Sequence, residues 1–110
     1  MNRNDRFRRL IMARLAELSA EDSRGLEGQA VVELDQQAVG RLSRMDALQS
    51  QAMARATQAR RDAETQRLHR ALARMEQDEF GWCEDCGEEI ADKRLEVDLT
   101  ATRCISCASG

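Results

Sequence analysis

Four cysteines fall in two matched pairs, Cys83-Glu-Asp-Cys86 and Cys104-Ile-Ser-Cys107, spaced C-x2-C-x17-C-x2-C. Two residues between cysteines let both sulfurs of one turn reach a single ion, and two such turns complete a tetrahedral Zn²⁺ site. Gly87 directly follows the first pair, where the turn calls for a positive φ. A thiol-redox C-x-x-C would need a βαβ setting, of which the pattern carries no sign. With all four ligands supplied by cysteine, no coordination position is left for water or substrate. The spacing therefore predicts one structural zinc held by Cys83, Cys86, Cys104 and Cys107.

The rest of the chain reads as helix. It has no proline, and its only aromatics are Phe7, Phe80 and Trp82, too few for an ordinary globular core in 110 residues. Phe7, Leu10, Ile11, Leu15 and Leu18 line one face of a helix over residues 3–22. Ser23-Arg-Gly25-Leu-Glu-Gly28 then breaks the pattern and predicts a turn. A second, long helix is expected from about Glu33 to Glu79. Its seam is Leu34, Ala38, Leu42, Met45, Ala52, Ala56, Ala59 and Ala63, and Gly81 serves as its C-terminal cap. Helix 1 would fold back on the first half of helix 2, leaving the second half with little to pack against. The expected fold is mainly α: an antiparallel helical hairpin, or coiled-coil arm, over residues 1–79, followed by a four-cysteine zinc finger over 80–110. The hairpin tip falls within 23–33 or, with longer arms, within 35–46 and hinged at Gly40. Ile90, Leu95, Val97, Leu99 and Ile105 would form a small apolar patch under the metal, and Trp82 would pack the module onto the helix end.

Net charge is −3, and its distribution matters more than its sum. The chain runs basic, acidic, basic, acidic, with eight arginines over residues 41–74 and seven acids over 80–110. An acidic finger without a basic recognition helix argues against direct specific DNA binding. MNRNDRFRRL is no signal peptide, and no apolar run approaches a membrane span, so a cytoplasmic location without a membrane partner is expected. No Gly-rich phosphate loop or nucleophile–base set is present, and His69 is the only histidine. The expectation is a non-enzyme and a monomer.

Phe80-Gly-Trp-Cys83-Glu-Asp-Cys86-Gly-Glu-Glu-Ile90, then Arg94-Leu95-Glu96, then Cys104-Ile-Ser-Cys107, resembles the zinc finger of the DksA/TraR family. Phe7-Arg-Arg-Leu-Ile is similar to the start of that family's coiled-coil arm. The resemblance implies a regulator that binds RNA polymerase at its secondary channel, places acidic residues of the arm tip near the active site and modulates initiation, with the alarmone ppGpp as a possible effector. Of the family's tip motif D-x-x-D-x-A this chain keeps one acid, matched by Asp35, with Glu33 beside it. An ungapped register from the finger sets Arg60 and Arg67 at positions the family uses for polymerase contact and ppGpp. The alternative is a zinc-stabilised helical adaptor for another protein, without polymerase activity.

Overall fold

The computed structural model describes the backbone of residues 3–38 and 41–109 and the side chains of 3–24 and 44–109. Four helices follow one another among the described residues: α1 (Arg3–Ala38), α2 (Arg41–Glu76), α3 (Asp92–Val97) and α4 (Ile105–Ser109). Among the described residues extended structure is confined to one isolated antiparallel bridge, Trp82 to Glu89. The chain divides into two compact units, Met1–Leu15 with Thr65–Gly110, and Ala16–Glu64.

The turn expected at Ser23–Gly28 is not there; α1 continues through it to Ala38. Each glycine costs a helix about 1 kcal/mol relative to alanine, which pairing along a longer arm offsets. In the unit Ala16–Glu64 the two helices are antiparallel: Asp22 accepts hydrogen bonds from Gln58 Nε2 and Arg61 Nε, both at 2.9 Å. The sequence midpoint of those partners lies near residue 40, not in the Gly25–Gly28 segment. The break between helices thus falls inside the alternative span 35–46. Val39 and Gly40, the expected hinge, lie outside the described residues, as do the side chains of Glu33 and Asp35.

The seam of α2 also differs from the expected one. Met45, Ala52, Ala56, Ala59 and Ala63 are exposed, whereas Ala47 is buried and Gln51, Ala54, Gln58, Arg61 and Thr65 are partly covered. Spacings of three and four fit both faces of the helix, and hydropathy favoured the alanines. Hydrogen bonding decided otherwise, because Asp22 satisfies Gln58 and Arg61 across the seam while exposed alanine surface costs little.

Among the described residues, the unit Met1–Leu15 with Thr65–Gly110 holds most of the buried apolar side chains. Phe7 and Ile11 of α1, Leu68, Ala71 and Met75 of α2, and Phe80, Ile90, Leu95 and Ala101 beyond it form its core. The second half of α2, expected to be left bare, is therefore covered. Phe7 and Phe80 meet at 5.9 Å between ring centroids, tilted 50°. Of the expected finger patch, Ile90 and Leu95 are fully buried, but Val97 is 90% exposed and Ile105 is also exposed.

Gly81 does not cap α2. The left-handed residue at the helix end is Asp78, with φ 58°. Asp78 N donates to Met75 O at 3.2 Å and Glu79 N to Arg74 O at 2.8 Å, the paired bonds of a left-handed C-terminal cap. An L side chain is strained there. Asp78→Gly is expected to raise stability by about 0.5–1 kcal/mol, measured by urea unfolding.

Candidate metal centre

The first cysteine pair sits on a tight hairpin that follows α2. Cys83 N donates to Glu88 O at 2.8 Å, Ile90 N to Gly81 O at 2.7 Å and Gly87 N to Cys83 O at 3.0 Å. Gly87 takes φ 76°, as its place after the pair predicted. Gly81, at φ 84°, opens the hairpin, and a Cβ there would lie 3.0 Å from the Arg3 guanidinium. The second pair flanks the start of α4, where Ala108 N donates to Cys104 O at 3.0 Å. Glu84 N donates to Thr102 O at 2.8 Å and ties the two pairs together.

All four sulfurs lie within 4.8 Å of one another. Cys86 Sγ and Cys104 Sγ are 3.7 Å apart. A tetrahedron with Zn–S bonds of about 2.3 Å has edges of about 3.8 Å, so the donor set fits Zn²⁺ in both size and chemistry. Backbone N–H groups of Cys104, then of Cys86, point at Cys83 and lower its thiol to about 6. Cys107 is pushed upward, first by the Cys104 thiol and then by those of Cys83 and Cys86. Four thiols this close resist ionising together unless a cation shares them, which is the electrostatic reason for a divalent metal here. The bound ion would cross-link the two turns, and four sulfurs would fill its coordination sphere.

Two arginines anchor this centre to the helices of the same unit. Arg3 pairs with Glu89 at 2.5 Å, approaches Asp92 with Nε at 2.7 Å, and donates to Ile90 O. Arg74 donates to Glu84 at 2.6 Å, to Trp82 O at 3.0 Å and to Glu79 O at 3.1 Å. The sequence presents both only as charge. The i, i+3/i+4 spacing of Arg67, Arg70 and Arg74 on one helix face was the available signal for the last. Trp82, the expected packing residue, is 47% exposed, and Phe80 takes its place in the core.

The arm candidates lie elsewhere. Arg60 is exposed on α2 and donates to Thr57 Oγ1 at 3.1 Å. Arg67, also exposed, lines a cavity of about 330 Å³ with Arg70, Arg74, Phe80, Glu84 and Thr102. Among the described residues no helix is long and apolar enough to cross a membrane.

Residues 78–110 match the family model of the prokaryotic dksA/traR C4-type zinc finger. The chain is 44% identical over 41 residues to the RNA polymerase-binding transcription factor DksA of Escherichia coli K12, a match covering 37% of this chain and 27% of the relative. The Haemophilus influenzae protein of the same name is equally similar over 41 residues, 37% of this chain and 28% of its own. The match thus spans little more than a quarter of these curated relatives. The structure of transcription factor DksA2 from Pseudomonas aeruginosa superposes with a TM-score of 0.85, covering 96% of this chain and 79% of that one at 24% identity. The finger is of the DksA/TraR type, and the fold is that of DksA2: an antiparallel helical hairpin with a C-terminal four-cysteine finger.

Proposed function

We propose that this chain is a DksA-like transcription regulator that binds RNA polymerase at the secondary channel and modulates initiation, with one structural Zn²⁺ on Cys83, Cys86, Cys104 and Cys107. The observation that carries the reading is the finger, whose relatives at 44% identity are named RNA polymerase-binding transcription factors. The fold shared with DksA2 is consistent with it.

In this reading the helical arm enters the channel and its end carries the effect. Glu33 and Asp35 lie in the last turns of α1, next to the break between the long helices. Their charge suits contact with basic or metal-bearing elements of the polymerase active site. Arg60 and Arg67, exposed along α2, supply charge-assisted contacts to acidic polymerase surface. Arg67 and Arg70, on the wall of a cavity where Arg74 is held by Glu84, offer cationic contacts for the phosphates of ppGpp as effector.

Binding and effect should separate. Arg60→Ala and Arg67→Ala are each expected to weaken polymerase binding by about 1–2 kcal/mol, roughly 5- to 30-fold, in competition binding. Asp35→Asn keeps size while removing charge; it should bind near normally and lose most of its effect on open-complex lifetime. The decisive assay is transcription in vitro from a ribosomal promoter, with and without ppGpp. A zinc-loaded chain that neither binds core polymerase nor alters transcription would rule the reading out and favour the adaptor alternative. If Asp35→Asn and Glu33→Gln both keep full activity, the effective acids lie elsewhere on the arm.

A further inference from the structure

The hairpin that carries Cys83 and Cys86 is gripped from both sides. Its ladder is a single bridge, Trp82 to Glu89, made by the bonds Cys83 N to Glu88 O and Ile90 N to Gly81 O. A two-stranded hairpin alone is at best marginally stable in water. Arg74 of α2 holds the outgoing limb on either side of Cys83, donating to Trp82 O and to the Glu84 carboxylate. Arg3 of α1 holds the returning limb, donating to Glu89 and to Ile90 O, with Asp92 just beyond. Gly81 makes room for it, since a Cβ there would meet Nη1 of Arg3 at 3.0 Å. The side chains of Arg3 and Arg74 are only 20% and 16% exposed. Ion pairs to half-exposed acids contribute little by themselves. A planar guanidinium that reaches a carboxylate and a backbone carbonyl together fixes the limb more firmly.

We infer that Arg3 and Arg74 are positioning residues for the metal. One from each long helix, they keep the two limbs at the spacing that turns Cys83 and Cys86 toward one ion, and so govern how fast that ion leaves. The inference rests on the zinc site of the function proposed above. Zn²⁺ escapes only after thiolates let go, and a cysteine pair whose backbone stays in place recaptures the ion first. The second pair is fixed within the finger itself: Arg94 Nε donates to Arg103 O at 2.7 Å, and Arg103 pairs with Asp85 at 3.1 Å. Support for the first pair comes from far along the chain, with 86 positions between Arg3 and Glu89. Groups that orient metal ligands from outside are worth about 10- to 100-fold in metal affinity. Arg6, one turn further along α1, is the internal contrast. It pairs with Glu96 and lies 3.9 Å from Asp92, both in α3, which carries no ligand.

Zinc release from the loaded full chain tests this, followed by absorbance in an excess of a chromophoric chelator. Arg3→Gln and Arg74→Gln should each release zinc about tenfold faster than wild type, with zinc affinity in chelator competition falling alongside. Arg3→Lys should not restore retention, because one ammonium lacks the fork that reaches Glu89 and Ile90 O together. Arg6→Gln also removes ion pairs to the finger, yet should release zinc at the wild-type rate. Far-UV circular dichroism of the loaded variants should match wild type; where Arg3→Gln loses helical signal, Arg3→Lys carries the comparison. Wild-type protein that takes up no zinc would fail the metal site itself. A zinc-binding wild type from which Arg3→Gln or Arg74→Gln does not differ overturns this inference alone. So does an Arg6→Gln variant as fast as Arg3→Gln, because charge pairing anywhere on the finger would then do the same.

Discussion

Cys83→Ser, or stripping metal with a chelator, is expected to unfold the finger while leaving most of the helical signal. α3 and α4 contain 6 and 5 residues, against 36 in each of the long helices. Far-UV circular dichroism should therefore fall only modestly. The local consequence is larger, because Phe80, Ile90 and Leu95 keep their places through short turns that carry few backbone bonds and that the metal would cross-link. Apparent binding energies for structural zinc, on the order of 10–16 kcal/mol in small modules, exceed what a finger of this size gains from its own core. Hydrogen exchange should show protection lost across residues 80–109 and in the first turns of α1, where Arg3 and Phe7 lose their partners. Elemental analysis of protein purified without added metal should give one zinc per chain. Metal content near zero with finger protection intact would remove the metal from the account.

Phe7→Ala should cost about 3–5 kcal/mol in urea unfolding, the range for removing a buried aromatic ring. Phe7 has no exposed surface. Its ring lies 5.9 Å from Phe80, and the Arg6 guanidinium sits 4.8 Å from its centroid. The cavity opens where α1, the end of α2 and the finger share one core, so collapse from any side is restricted. Trp82→Ala is the matched control. Although larger, Trp82 is half exposed, and its loss should cost under about 1 kcal/mol. Equal costs for the two variants would mean that the aromatic contact at Phe7 is not what joins the elements of this unit.

What could be read without coordinates was chemistry that acts over a few residues. Cysteine spacing announced the metal centre, because two-residue loops bring sulfurs together whatever surrounds them, and Gly87 adopted the positive φ its place required. The absence of proline and the abundance of strong helix formers were enough to predict long helices. Tertiary structure decided which of two plausible outcomes won where local energies were nearly balanced. Two glycines near residue 25 cost a helix about 2 kcal/mol, and longer arms with polar pairing such as Asp22 to Arg61 outweigh that. On α2 an alanine face and a mixed face share one periodicity, and the mixed face went against the partner helix, where Gln58 and Arg61 both donate to Asp22. Phe80 went inside and Trp82 stayed out because the hairpin opened by Gly81 turns them to opposite sides, an orientation that backbone geometry sets and composition cannot express.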